Sequence, residues 1–316
     1  MLTYVIRRVA ILIPTLFVIT VIVFTLMHAA PGDPMDIYLD PTIDPRDFAE
    51  IRAKMGLDQP IHIQYWYWVS RFFRGDMGIS YNYGRPVWEL LKVRIGPTVL
   101  LMSLALGFAY LLAIPIGTVS AVKQYSLLDY GITTFAFVGI SMPNFWLGLL
   151  LLYLFSVTLG WLPSYGMKEL IGGGDFLDRV RHIIMPIVVL GTAYMAGITR
   201  YMRAQVLEVK HEEYVKTARS KGLSESWVIS KHMMKNSLIP VVTLFGLQLP
   251  VLLGGALITE QIFAWPGMGY FFWRGVSLRD YPVIMAILTL SAILTLLGNF
   301  AADLAYGFLD PRIRYD

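Results

Sequence analysis

Long runs of apolar residues constrain the fold of this chain more than any other feature. A helix needs about 20 consecutive apolar residues to cross the hydrocarbon core of a membrane. Six segments meet this requirement, at about residues 9–29, 98–121, 130–156, 183–202, 237–260 and 282–307. Only 15% of the residues are charged, whereas soluble domains average about 25%. The sequence therefore predicts an all-α membrane protein with six transmembrane helices.

The first apolar run is either a cleaved signal peptide or a retained transmembrane helix. From Val9 to Met27 it is about twice as long as the apolar region of a usual signal peptide. His28 occupies a position where a cleavage site needs a small residue, and Pro31 directly follows the candidate cleavage residue Ala30. We therefore favour a retained helix over residues 1–30.

The distribution of Lys and Arg predicts the orientation, because short cytoplasmic loops carry an excess of both. With the N-terminus inside, the cytoplasm receives Arg7, Arg8, Lys123, Arg200, Arg203, Lys210, Lys216, Arg219, Lys221, Lys231, Lys235, Arg312 and Arg314. The two short outer loops receive only Lys168, Arg179, Arg181, Arg274 and Arg279. Both termini are therefore predicted to be cytoplasmic.

These arguments divide the chain into four parts. Residues 31–96 form an extracytoplasmic segment, with short helices expected at "PRDFAEIRAKMGL" and "IQYWYWVSRFF". Residues 97–308 hold five of the six helices and a long cytoplasmic loop at 203–236, and residues 309–316 form a cytoplasmic tail.

The stretch "EEYVKTARSKGL" in this loop is predicted to form a short amphipathic helix. Tyr214, Val215 and Ala218 would share one face. Gly222 suits the left-handed residue that ends a helix, and Ser224 suits the cap of a second helix. Because so short a helix is marginal alone, we expect it to need a partner surface. An ordinary basic loop lying on lipid headgroups is the alternative interpretation.

Five motifs occur in order along the chain: "GDMGISYNYGRPV", "SMPNFWLGLLLLYLFSVTLGWLPSYG", "EYVKTARSKGL" followed by "SLIPVV", "ITEQIFAWPGMGYFFWRGVSLRDYP", and "DPRIR". The third resembles the "EAA" coupling motif of ATP-binding-cassette (ABC) importer permeases. Its E-A-A positions read Lys216, Thr217 and Ala218, and the spacing from Gly222 to Pro240 exceeds the general pattern. Both departures resemble the dipeptide, oligopeptide and nickel branch, so the chain is identified as a member of that branch, similar to its B-type subunits.

The resemblance implies a type I ABC importer permease fold, in the inner or cell membrane of a bacterium or archaeon. It implies a second, C-type permease, two ABC ATPase subunits that bind ATP and Mg, and an extracytoplasmic binding protein, with membrane lipid around the helices. It also implies that the short cytoplasmic helix docks on an ATPase subunit. The expected contact residues are Glu213, Tyr214, Ala218, Arg219 and Gly222.

Several other functions lack support in the sequence. No G-x-x-x-x-G-K-[ST] phosphate loop occurs, the five histidines form no H-E-x-x-H pair, and no G-x-S-x-G turn is present. We therefore expect no catalytic, cofactor-binding or metal-binding residue, and no intramembrane enzyme. A basic stripe for nucleic acid is also absent. A stand-alone channel or secondary carrier is disfavoured, since no internal repeat is found.

Two acidic residues and an aromatic cluster are candidates for the pathway and its outer gate. Glu260 and Asp303 lie near the ends of the fifth and sixth predicted helices. A charge at the bilayer centre costs about 2.5–3.5 kcal/mol, so they should face protein or water, either in the pathway or in structural hydrogen bonds. The aromatic cluster comprises Trp265, Tyr270, Phe271, Phe272 and Trp273, and an interfacial aromatic belt is its alternative role.

Small residues are expected to allow close helix packing along the pathway, namely Gly191, Ala193, Gly197, Gly246, Gly254, Gly255, Ser291 and Gly298. The cargo stays open within the branch. Peptides are the first expectation and oligosaccharides the second, with nickel chelates less favoured because His and Met show no metal-site spacing.

Overall fold

A computed structural model describes residues 2–29, 58–169, 174–248, 252 and 255–309, with side chains from residue 6 to residue 301. Regular structure in these ranges is helical, apart from one isolated antiparallel bridge between Ile79 and Pro86. The helices are α1 (Leu2–Ala29), α2 (Ile61–Phe73), α3 (Val87–Val122), α4 (Leu127–Ser141), α5 (Asn144–Leu151), α6 (Phe176–Lys210), α7 (Glu213–Ser220), α8 (Glu225–Trp227), α9 (Met234–Gln248), α10 (Leu257–Ile262), α11 (Met268–Ser277) and α12 (Tyr281–Leu309). Leu152–Thr158 continues α5 as a π-helix, and the π-helix Val228–Met233 joins α8 to α9.

Four helices in the described part of the chain are long and apolar enough to cross a membrane. They are Ile6–Ala29 of α1, α3, α6, and Tyr281–Ala301 of α12. A fifth span results if α4 and Asn144–Thr158 are taken together. The remaining predicted span, 237–260, falls on α9 and α10, with residues 249–251 and 253–254 between them outside the described part.

The predicted span at 130–156 is two helices bent by 101°. Proline at 143 disfavours the helical backbone at the residue before it, and Met142 accordingly has φ −81° and ψ 121°. Helix α4 therefore ends at Ser141, and α5 begins at Asn144. The run was expected to form one continuous helix, and that expectation is corrected by the break at Pro143; the two helices together still make one candidate span.

The chain divides into two compact units, residues 1–96 with 267–316, and residues 97–266. In the first unit, α2 packs on α1, where the Tyr65 hydroxyl lies 2.9 Å from Thr20 Oγ1 and its ring meets Phe24 edge-on. This confirms the helix expected at "IQYWYWVSRFF". The one expected at "PRDFAEIRAKMGL" lies outside the described residues.

In the second unit, α3 and α6 pack closely because two glycines lack a side chain. A Cβ added at Gly117 would lie 2.7 Å from the Thr199 carbonyl oxygen, and one at Gly191 would collide with the Phe108 ring. Gly191 was expected to serve packing, whereas Gly117 was not singled out from the sequence. Gly197 and Gly246 are different, since an added Cβ would meet nothing within 4 Å among the described residues beyond the local helix backbone and the chain neighbours.

Candidate coupling site

Helix α7 forms where the sequence predicts it. Glu213 lies in its first turn and Arg219 in its last, where each charge interacts favourably with the helix dipole. Lys216 Nζ forms a salt bridge of 2.7 Å with Glu213, on the solvent side of the helix. The expected short amphipathic helix is therefore present, with Glu213 and Lys216 exposed.

Gly222 ends this segment in the left-handed conformation, with φ +75°. Its backbone N–H donates to the Arg219 carbonyl at 2.9 Å, and the Lys221 N–H donates to the Thr217 carbonyl at 3.1 Å. The prediction of a glycine with positive φ is confirmed. Ser224 occupies the cap position of α8, but its side chain makes no capping hydrogen bond.

The apolar face of α7 is covered by the chain itself. Val215 and Ala218 are buried, Ala218 being only 4% exposed, in a cluster that includes Met202, Val228 and Met233. The sequence analysis expected this face to need a partner, and that expectation is wrong for Val215 and Ala218. The helix packs mainly on the π-helix before α9, and its other face is exposed.

Sequence reasoning missed two apolar residues beside α7. Leu223 and Trp227 are exposed, as is Tyr214, and Lys231 Nζ lies 5.4 Å from the centre of the Trp227 ring. Helical spacing from the Ser224 cap would have placed Trp227 on the outer side. The exposed surface of the loop therefore carries apolar residues beside charges of both signs, the acidic ones including Glu213 and Glu225.

Two side-chain contacts fix the angle of α7. The Arg219 guanidinium donates to both carboxylate oxygens of Glu225, at 3.1 and 2.7 Å. This pairing lowers the pKa of Glu225 below its usual value and raises the pKa of Arg219. Asn236 Nδ2 donates to the Tyr214 hydroxyl at 2.6 Å. Arg219 and Tyr214, both predicted partner contacts, are thus also bonded within the loop.

A buried ion pair lies in the same unit and was not found from the sequence. Arg203 on α6 donates through Nε and Nη2 to Asp129 on α4, both at 2.8 Å. Asp129 is 3% exposed and also accepts from Ser120 Oγ and the Tyr125 backbone N–H. Ser126 precedes Asp129 by three residues, a spacing typical of a helix cap. From the sequence, Asp129 would therefore be explained as part of the cap and not as the partner of a distant arginine.

Glu260 and Trp265, two pathway candidates, are interior residues of the second unit. Glu260 is fully buried, and Thr98 Oγ1 donates to its Oε1 at 2.9 Å. Trp265 Nε1 donates to the Pro97 carbonyl at 2.9 Å. These bonds tie α10 and the residues after it to the start of the unit, which favours the structural alternative that was left open for Glu260.

The remaining gate candidates lie in the first unit. Phe271 is 1% exposed in a core with Leu91 and Val283, Phe272 is partly buried, and Trp273 is exposed. Asp303 falls within α12, and its side chain lies outside the described part. The expected cluster is therefore divided between the two units.

No group of three His, Cys, Asp or Glu residues that could hold a metal ion occurs among the residues that the structure describes.

Comparison with known proteins decides the family. The protein-family model named binding-protein-dependent transport system inner membrane component matches residues 113–315. The family model for the N-terminal part of the same membrane component matches residues 1–105. The chain belongs to this family. It is therefore an inner-membrane permease subunit of an ABC importer, in which a separate subunit carries the ATPase.

Several curated relatives match along their full length. The oligopeptide transport system permease protein AppB of Bacillus subtilis is 45% identical, and each chain is covered completely. The di/tripeptide transport system permease protein DppB of Pseudomonas aeruginosa is 41% identical, over 100% of this chain and 99% of the relative. The glutathione transport system permease protein GsiC of Salmonella choleraesuis is 41% identical over both chains.

A solved structure supports the fold. The MetNI methionine ABC transporter in inward-facing conformations matches with a TM-score of 0.57. The match covers 71% of this chain and 97% of the other, at 18% identity. At that identity the likeness concerns the fold alone.

Proposed function

We propose that this permease forms half of the translocation pathway of an ATP-driven importer for peptides, delivered by an extracytoplasmic binding protein. The observation that carries the proposal is the full-length match to relatives named for oligopeptide and for di/tripeptide transport, at 45% and 41% identity. The other half of the pathway would be a C-type permease. Two ABC ATPase subunits, with ATP and Mg, would supply the energy.

We propose six transmembrane helices with both termini in the cytoplasm. Residues 1–30 would form the first span, 31–96 the outer segment, 97–308 the membrane core and 309–316 the tail. The basic residues concentrated at 200–236 support this orientation. The fifth span in chain order would be the run 237–260, which contains most of α9.

We propose that α7 transmits movement between an ATPase subunit and the membrane core. Glu213, Tyr214, Arg219 and Gly222 would form or shape the docked surface, together with Leu223 and Trp227. Ala218 would act by packing, because its burial leaves almost no side-chain surface for a partner. Since α7 packs on the π-helix Val228–Met233, which contacts α6, a displacement of α7 would pass through that π-helix to a predicted transmembrane helix.

The outer gate is proposed to include Phe271, Phe272 and Trp273, whereas Trp265 and Glu260 stabilise the second unit. Asp303 is retained as a pathway candidate near the inner end of α12. Buried aromatic side chains have large apolar surfaces that pack at the density of a protein interior. Such packing would give the closed state of the gate a single, well-ordered arrangement.

Reconstitution tests the cargo. The complex of two permeases and two ATPase subunits is reconstituted in liposomes. ATP is enclosed in the lumen, and the binding protein is added outside. We expect ATP-dependent uptake of labelled di-, tri- or oligopeptides and no uptake of labelled oligosaccharides. Mass spectrometry should identify peptide on the co-purified binding protein. Oligosaccharide uptake, with sugar on the binding protein, would overturn the peptide proposal.

Cysteine labelling tests the orientation. Ser220 on α7 and Ser70 on α2 are both exposed, so each accepts a cysteine that a reagent can reach. The chain has no cysteine of its own. In whole cells, a membrane-impermeant maleimide should label Ser70→Cys and spare Ser220→Cys until the membrane is opened. The reverse pattern at either position would contradict the proposed topology.

A further inference from the structure

Arg94 has a half-buried guanidinium without an acidic partner in the described part of the chain. It lies on α3, and its Nη1 donates to the Leu90 carbonyl one turn earlier. No carboxylate among the described residues lies in salt-bridge range of it, whereas Arg71, Arg85, Arg203 and Arg219 each form a salt bridge. Because partial burial of a cation without an anion is unfavourable, Arg94 is the arginine whose placement needs an explanation.

The half-buried guanidinium lies against a buried aromatic ring of the first unit. Its central carbon is 3.9 Å from the centre of the Phe271 ring, a cation–π contact that holds the group in place. The Tyr83 ring lies 5.9 Å from that of Phe271. Arg94 therefore belongs to an aromatic site that includes Phe271, a proposed gate residue.

The geometry leaves most of the guanidinium available for a ligand. Arginine has five N–H donors in a rigid fork, which matches the two oxygens of a carboxylate. The Leu90 carbonyl takes one donor, and the described residues supply no acceptor for the others. The Phe271 ring and the Leu90 carbonyl thus hold the guanidinium of Arg94 in place. Its remaining N–H donors can bind an anion.

We propose that Arg94 binds the C-terminal carboxylate of a peptide as the peptide enters the pathway, an inference that rests on the proposed peptide function. Every unmodified peptide carries this carboxylate whatever its side chains, so one arginine can recognise cargo of varied sequence. A neutral oligosaccharide offers no such group. Arg94 would therefore discriminate between classes of cargo and not between peptides.

A lipid phosphate is the competing ligand for an arginine near the end of a transmembrane helix. Such arginines usually extend their side chains outward to the membrane surface. Arg94 instead folds back onto its own helix and onto Phe271, which is buried. The observations therefore favour a ligand that reaches the aromatic site.

The test compares two forms of one peptide, with a free and with an amidated C-terminus, in the reconstituted complex. Both are supplied at concentrations that saturate the binding protein. Uptake of the free acid divided by uptake of the amide is measured for the wild type and for Arg94→Gln. Because the binding protein is the same in both, its own preference cancels between the two ratios. We expect the ratio to fall about tenfold in the variant, equal to about 1.4 kcal/mol.

Two control variants separate recognition from charge and folding. Lys92→Gln removes an exposed positive charge two residues away on α3 and should leave the ratio unchanged. Arg94→Lys keeps the charge but loses the paired donors, so its ratio should lie between those of the wild type and Arg94→Gln. If Arg94→Gln does not assemble, an unchanged ratio in Arg94→Lys overturns the proposal.

Other outcomes distinguish the proposals from one another. Equal ratios in the wild type and Arg94→Gln overturn the role of Arg94 and leave peptide import intact. Arg94→Gln could instead lose uptake of both peptides equally, while uptake by the wild type depends on anionic lipid. That result assigns Arg94 to a phospholipid and also overturns its role in peptide binding. If the wild type imports neither peptide, the peptide function itself fails, and the inference fails with it.

Discussion

Gly222→Val should abolish substrate-stimulated ATP hydrolysis and uptake while the protein still inserts into the membrane. Gly222 has φ +75°, a conformation that costs most residues about 1–2 kcal/mol and a β-branched residue more. Apart from its two chain neighbours, no described residue has a heavy atom within 4 Å of an added Cβ, so the effect must come from the backbone. The turn would reorganise, and α7 would reach its ATPase subunit at the wrong angle.

The measurement is the rate of uptake and of ATP hydrolysis by purified complex, at matched expression. Gly222→Asn is the matched control, because asparagine tolerates positive φ better than other residues with a side chain, and it should keep most activity. Lys221→Arg keeps the charge and should be mild. Ligand affinity of the binding protein should not change in any variant.

The alternative interpretation, a loop lying on lipid headgroups, gives the opposite ranking. Removal of positive charge at Lys216, Arg219 and Lys221 would then matter more than Gly222→Val. Normal uptake by Gly222→Val at normal expression would show that α7 does not transmit the movement. The same result would leave the family assignment untouched, since that rests on the whole chain.

Local signals in the sequence predicted local structure well. The left-handed conformation of Gly222 could be predicted because the signal for such a helix end lies in a few neighbouring residues. The helix at "IQYWYWVSRFF" was readable for the same reason. The break at Pro143 was underestimated, because the apolar run continues across it. Hydropathy measures how apolar a segment is and carries no information about whether it bends.

Contacts between distant residues were the part that sequence reasoning missed. Asp129 and Arg203 are 74 residues apart, and Thr98 and Glu260 are 162 apart. A single sequence does not indicate which residues far apart in the chain form an ion pair or a hydrogen bond. The burial of Ala218 was missed for the same reason, since the residues that cover it come from α6 and from the π-helix before α9. The candidate coupling site was thus located from the sequence, but which of its faces is free was not.

Asp129→Ala should lower the stability of the permease strongly, because it leaves the Arg203 guanidinium without its anion. Removing one partner of a buried ion pair typically costs about 3–5 kcal/mol. The Arg203 side chain is 27% exposed, so water offsets part of this cost and we expect the lower end. That corresponds to a fall of about 5–10 °C in the thermal unfolding midpoint.

The comparison uses intrinsic tryptophan fluorescence in detergent at one heating rate, since membrane proteins often unfold irreversibly. Glu89→Ala is the control: it breaks the Arg85 pair, whose side chains are 63% and 43% exposed, and exposed pairs contribute about 0–1 kcal/mol. The double variant Asp129→Ala with Arg203→Ala should be more stable than the sum of the two single effects predicts, because it leaves neither charge alone. A fall no larger for Asp129→Ala than for Glu89→Ala would mean that the ion pair contributes little to holding α4 on α6, and that their apolar packing does so instead.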